Sequence, residues 1–440
     1  MTSNRARGVA AVVALGAAIA IGPAVGAGAR PQVALRPTIA YATNGGQVVP
    51  IDTATNKPGL PITSGLNTQG IAITPDGSTI YAANSFSGTV TPIDTATNTA
   101  GTPIDLTGSG PASGPDGVAI TPDGKTAYVV DEKNATVVPI DTATNTLGTP
   151  IPTGGDSPRE IAITPDGKTA YVPNYLDDSV TPIDLATGTA GPKIHVGAEP
   201  VGIAIAPNGR RAYVVGIAEV DIIDTATNTL KPGILDGGDE NSPGASIAIT
   251  PDGSMAYVAR FYDNSIVPIN LVTRAVGTPF PTRHLPTGIA ITPDGKTAYV
   301  AFGVNPGKVS PIDLATGVTG KLIKVNGFAD SIAITPDQAP IAHFTVDRAG
   351  PGDPTAFDAS TSAAVTSPIV SYHWTFGDGA SATTTTPTTT HTYAAPGNYR
   401  VVLVVTDAVG TSTKQVFTGQ TVTHNGGPSA RAARRVSIFG

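Results

Sequence analysis

At 440 residues the chain has room for two or three domains of ordinary size. Charged residues make up only 13%, Gly (51) and Pro (40) are abundant, and Thr, Val and Ile alternate with turn residues, which argues for many short strands and against helices. The net charge of −7, with no basic stripe, argues against a nucleic-acid partner. The absence of cysteine excludes disulfides, thiol catalysis and lipid attachment at an N-terminal Cys, so burial and strand pairing must hold the fold alone.

The chain opens with Arg5 and Arg7, then an apolar run from Gly8 to Ala29 ending in Ala27-Gly28-Ala29. A positive start, an apolar middle and a small-x-small end predict a signal peptide over 1–29, followed by a linker at 30–36. The run is nearly long enough for a retained membrane anchor, which is the alternative; Pro23 and the small-residue end favour cleavage. No other stretch could cross a bilayer, so no span is expected after cleavage.

From residue 37 a repeat takes over. TPDG stands at Thr74–Gly77, Thr121–Gly124, Thr164–Gly167, Thr250–Gly253 and Thr292–Gly295, with degenerate copies at Ala206–Gly209 (APNG) and Thr335–Gln338 (TPDQ). Its Asp/Asn position recurs at intervals of 47, 43, 42, 44, 42 and 43 residues. A tyrosine recurs in register at Tyr41, Tyr81, Tyr128, Tyr171, Tyr213, Tyr257 and Tyr299, and a PID-like element ends at Asp52, Asp94, Asp141, Asp184, Asp224, Asn270 and Asp313. Each unit has room for four short strands: IAIT, an Asp-Gly turn into TAYV, then SVTPID, and a last strand of the GTPI type. Four antiparallel strands in about 43 residues make a propeller blade, and seven units predict a seven-bladed β-propeller over 37–338. The first unit lacks an IAIT strand and the last stops after one, so strand 331–337 is expected to join the sheet built by 38–64 and close the ring. The pattern "IAITPDGKTAYV–N … SVTPIDTATNT" resembles the YVTN-family propeller repeat of secreted and surface-layer proteins, although the Asn after the Tyr survives only at Asn44, Asn84 and Asn174. That family carries no single activity, so the resemblance implies a fold and not a function.

After Gln338 the text changes to "FDASTS … VSYHWTFGDG … HTYAAPGNYRVVLVVTD". Phe357-Asp358, Trp374, Phe376–Gly379, His391, Tyr393, Pro396-Gly397, Tyr399 and Asp407 resemble the PKD domain, which implies an immunoglobulin-like β-sandwich over 340–424. Thr361–Pro368 (TSAAVTSP) replaces the acidic, Gly-containing turn usual there, which speaks against a metal site. Trp374 and Phe376 alternate toward one face and should fill the core. The Thr-rich stretch 382–392 reads as an exposed loop, and 425–440 as a disordered tail.

The periodic aspartates fall in turns, one per blade, where carboxylates cap backbone amides and do not converge on a metal. Any ligand site belongs where innermost strands begin, at the mouth of the central channel. The residues just before each IAIT copy are Gln69, Asp116, Arg159 with Glu160, Val201, Ala245, Thr287 and Asp330; Gln69, Asp116, Arg159, Glu160, Thr287 and Asp330 are the ligand-binding candidates. Asp156, Glu199, Arg283 and His284 stand a little further upstream, and His195 falls in an outer strand. Solvated rim decoration is the plainer alternative for all of them. No HExxH, GxSxG, P-loop or paired-His motif occurs, so no catalytic residue, metal or cofactor is assigned. The expected protein is secreted or held at the cell surface, monomeric and non-catalytic. Its partner would be a cell-wall or extracellular protein or glycan. A lactonase- or lyase-like enzyme, or a small-ligand binder, using the channel mouth is the alternative.

Overall fold

The computed structural model describes residues 35–107, 113–238, 244–417 and 422–439; the signal peptide expected over 1–29 lies outside them. Among the described residues the chain is all-β, with no α-helix. Seven antiparallel sheets of four or five strands occupy residues 39–334. In the second, Thr68–Ile73 pairs with Thr79–Asn84, which pairs with Thr89–Asp94. The outer strand is split: Thr99–Ala100 and Ile104–Asp105 each pair with Thr89–Asp94. Pro103 interrupts the ladder between them, as prolines do at sheet edges.

The turns form for the reasons the sequence suggests. Thr74 Oγ1 donates to Asp76 Oδ1 (2.6 Å), the Ser78 amide donates to the same oxygen (3.0 Å), and Gly77 takes φ +71°. At the next turn the Thr97 hydroxyl and amide both donate to Asp94 Oδ1 and hold its carboxyl below the ordinary value. The recurring tyrosines join neighbouring sheets. Tyr41, Tyr81, Tyr171 and Tyr299 donate to Asn98, Asn145, Asn228 and Asn56, each in the turn of another sheet. Burial, then the nearby turn aspartate, pushes each of these phenols up to about 12, so they remain donors.

Both faces of each middle strand are covered, because apolar side chains fill the space between adjacent sheets. Ala72, Tyr81 and Val90 of one sheet, for example, meet Val118, Val129 and Val138 of the next. Near the innermost strands the backbones themselves touch. The Gly117 amide donates to the Arg159 carbonyl (2.9 Å), and a Cβ on Gly117 would stand 2.6 Å from that oxygen. Where the position after the Tyr is polar, its side chain helps tie down the loops around the innermost strands, and different polar groups do so in different copies. Asn84 Nδ2 donates to the Ser64 carbonyl, Asp131 accepts from the Gly114 amide, and buried Arg260 donates to the Gly216 carbonyl while pairing with Asp236.

Ile332–Ile334 pairs antiparallel with Ile39–Thr43, so the last repeat supplies a strand to the first sheet. This strand is shorter than the expected 331–337. Asp337–Gln338 leaves it and pairs in parallel with Val422–Asn425 of the second domain. TPDQ therefore departs from TPDG because the chain runs on instead of turning back.

In the second domain, one sheet holds Thr345–Asp347, Pro354–Asp358 and Thr388–Thr392. Another runs in the order Ser381–Thr384, Ile369–Thr375, Gly397–Asp407, Arg431–Ile438. Fully buried Trp374 meets Phe344 edge-on (5.4 Å) and Phe357 (5.8 Å) between them. Two expectations are corrected. The stretch 382–392 is not a loop: Ser381–Thr384 and Thr388–Thr392 are strands, because the threonines alternate on a pleat their β-branched side chains favour. The tail 425–440 is not disordered among its described residues: Arg431–Ile438 pairs along Gly397–Asp407, burying Val436 and Ile438 and covering an edge otherwise bare.

The second domain packs on the TPDG turns. Gln338 Nε2 donates to the Pro75 carbonyl (3.2 Å), Gln415 Nε2 to Pro122 (3.4 Å), and buried His424 Nε2 bonds the Pro293 carbonyl. Val422 and Thr423 enclose a cavity of about 40 Å³ with Ile249, Ile291 and Ile334 of the innermost strands. The atypical stretch Thr361–Pro368 clasps both chain segments at the junction. The Val365 carbonyl accepts from the Arg36 amide (2.8 Å), Thr366 Oγ1 from the Gln338 amide (3.0 Å), and Ser367 Oγ donates to Asp337 (2.9 Å).

Candidate functional site

Antiparallel pairing sets the start of each innermost strand beside the end of the second strand, as in Pro115 opposite Asp131, Gly202 opposite Val215 and Pro286 opposite Phe302. Side chains from several sheets meet at that end. Gln69, Asp116, Arg159, Glu160, Thr287 and Asp330 all line one cavity of about 380 Å³, with Val201 and Ala245 filling the apolar part of its wall.

Glu160 is the departure from the repeat. The residue immediately before IAIT is Gly70, Gly117, Gly202 and Gly288 in four copies and Ser246 and Ser331 in two. Only the third copy places a long side chain there, and its innermost strand is correspondingly short, Ala162–Ile163. A small residue suits this position because the neighbouring backbone lies close; a carboxylate there must project into the cavity.

Arg159 is held on three sides. Its guanidinium stands 3.6 Å from Asp116 and 3.0 Å from Glu132, and lies 5.3 Å from the centre of the Tyr175 ring. Ser157 Oγ donates to the same Glu132 oxygen (2.9 Å), and the Tyr175 hydroxyl donates to Glu199 (2.9 Å). Thr287 Oγ1 donates to the Ala329 carbonyl (2.7 Å), fixing the entry to the Asp330 strand. The Asp116 side chain is only 17% exposed. Burial, opposed by Arg159 and assisted by Glu132, pushes its carboxyl up to about 7. Burial and then Asp116 push Glu160 up to about 8, and burial raises Asp330.

Tyr175 and Glu132 are missed by sequence reasoning. Both immediately follow the end of a second strand, after Asn174 and Asp131; Tyr175 lines the cavity, and Glu132 reaches it through Arg159. The signal was the alternation of strand direction, which brings the start of each innermost strand and the end of the second strand to the same end of a sheet. Of the upstream candidates, Glu199 reaches the site through Tyr175, whereas Asp156, Arg283 and His284 do not line the cavity. His284 instead contacts Lys308 Nζ (3.0 Å). His195 pairs in an outer strand opposite Ser179. Among the described residues, no three His, Asp or Glu side chains are grouped to hold a metal ion.

The cavity thus sets three carboxyl groups against one guanidinium already shared with Glu132. It can accept hydrogen bonds and balance positive charge on a small polar molecule.

The PKD-domain family model matches residues 337–422, and this part of the chain is a PKD domain, an adhesion-type module typical of extracellular proteins. The match begins at Asp337, where the chain leaves the first sheet. Two solved structures are similar in fold. Hydrazine synthase of Kuenenia stuttgartiensis is 21% identical with a TM-score of 0.53, over 60% of this chain and 88% of that one. A functionally unknown protein of Desulfotomaculum acetoxidans DSM 771 is 19% identical with a TM-score of 0.59, over 67% and 98%. These likenesses concern the propeller-like arrangement of repeated sheets. A comparison with curated proteins finds no match. No helix among the described residues is long and apolar enough to cross a membrane.

Proposed function

We propose that the protein is an exported interaction protein, a closed seven-bladed propeller of the YVTN type with a PKD domain packed on one face, and that its channel mouth receives a small polar ligand carrying a positive charge. The observation that carries the binding site is convergence: residues from seven different sheets line one cavity whose carboxyl groups outnumber its single guanidinium. Closure is supported by the pairing of Ile332–Ile334 with Ile39–Thr43 and by the bond from Tyr299 to Asn56. Cell-wall or extracellular protein or glycan is the proposed partner of the whole molecule, which acts as a monomer.

Glucosamine, with glucose as its uncharged counterpart, tests the cavity. A cation stabilises ionised carboxylates, so binding at pH 7 should expel protons from Asp116 and Glu160, about one per molecule. Calorimetry in two buffers of different ionisation enthalpy reads that release, and Asp116→Asn with Glu160→Gln should abolish it. Equal responses to glucose and glucosamine, or none to either, would sink this assignment. A second reading, a lactonase- or lyase-like enzyme, draws support from two carboxyl groups poised near neutral pH, where general acid–base catalysis works best. Turnover of a simple lactone that is lost in Glu160→Gln would favour it.

A further inference from the structure

We propose that the outer face of the PKD sheet made by Ser381–Thr384, Ile369–Thr375, Gly397–Asp407 and Arg431–Ile438 binds an acidic polysaccharide. This inference uses a surface separate from the channel mouth; it rests on the preceding reading of an extracellular partner and narrows that partner to an acidic polysaccharide.

The register creates the surface. Arg400 lies directly opposite Arg435 across the strand pair, and Arg431 lies opposite Val404. Val401, Leu403, Val405, Val436 and Ile438 point into the core, so alternation turns the three arginines outward, where all three are exposed. Like charges directly opposed in a sheet are destabilising. Among the described residues no carboxylate forms an ion pair with Arg400, Arg431 or Arg435. In a chain of net charge −7 this is a local concentration of unbalanced guanidinium groups. Exposed His373 extends the strip, facing Val404 from the other side.

Spacing favours a polymer over a single anion. Arg431 and Arg435 are four residues apart on one strand, about 13 Å, while Arg400 sits one strand away, about 5 Å. The positions between them are occupied by Val402, Ala433 and Thr375, which leave the face flat. Guanidinium groups take carboxylate or sulfate in paired hydrogen bonds. Single-stranded nucleic acid is disfavoured, because the outward positions of these strands hold no Phe, Tyr or Trp on which bases could stack.

The test uses the full chain on immobilised alginate, with dextran as the neutral polysaccharide and duplex DNA as the competing polyanion. Retention on alginate, release by salt and no retention on dextran are expected. The triple variant Arg400→Gln, Arg431→Gln, Arg435→Gln should bind alginate at least about tenfold more weakly. Its Tm should be unchanged or higher, since the opposed pair is relieved, and its response to glucosamine should match that of the parent. The corresponding triple Lys variant should keep most of the affinity, which separates lost charge from lost structure. Undiminished alginate binding by the Gln variant, equal retention on dextran, or preference for DNA over alginate would each overturn the proposal.

Discussion

Replacing Glu160 by Gln should stabilise the protein, by an amount that grows as pH rises from about 4.5 to 8. The carboxyl is raised from 4.5 to about 8, first by burial and then by Asp116. Between those values the folded chain holds a proton that the unfolded chain has released, so this residue's contribution to stability falls as pH rises through that window. One pH step corresponds to about 1.4 kcal/mol, which sets a ceiling of roughly 4–5 kcal/mol above pH 8. Glu160 opens on the cavity, where water and side-chain relaxation screen the charge, so about 1–3 kcal/mol should remain. Gln keeps the shape and removes the charge. Urea unfolding at pH 5 and pH 9 measures the difference: the midpoints of parent and variant should coincide at pH 5, and the variant's should be higher at pH 9. An equal change at both pH values, or a loss at pH 9, would refute the reasoning.

Two further outcomes follow from the packing. Tyr299→Phe removes the phenolic bond to Asn56 between the last and first sheets and should cost about 1 kcal/mol in denaturant unfolding, as should Tyr171→Phe at its bond to Asn228. Ending the chain after Ala430 deletes the Arg431–Ile438 strand and bares Gly397–Asp407; size-exclusion chromatography should then show self-association, and calorimetry a lower Tm for the second domain.

The turns are legible in the sequence because Asp-Gly and Thr-x-Thr-Asn satisfy their own backbone locally, with no help from distant residues. The position of Asp116, Arg159, Glu160 and Asp330 is equally legible, since it depends only on counting back from IAIT. Glu132 and Tyr175 are harder to see: they approach the cavity from the far end of the second strand, and their role becomes visible only once Arg159 is seen lodged between them. The edge strand at Arg431–Ile438 hides for another reason. Its arginines fall at outward positions and its apolar residues are few, so its pairing depends on Gly397–Asp407 being present to receive it. The stretch Thr361–Pro368 likewise reads as a degraded turn, because its bonds are made to residues at 36, 337 and 338.

That clasp has a mechanical consequence. The chain enters the first sheet at Ile39 and leaves its neighbouring strand at Thr335, whose hydroxyl meets the Ile39 amide; the two exits lie at the same end of the pair. Tension drawn through both would peel the seam open one hydrogen bond after another, the weakest direction in which to load two strands. Residues 365–367 grip both leads just outside the seam, and Gln338, Gln415 and His424 spread the pull over turns of three other sheets. Under tension the molecule would therefore carry force through the packed second domain, leaving the three residues Ile332–Ile334 unloaded.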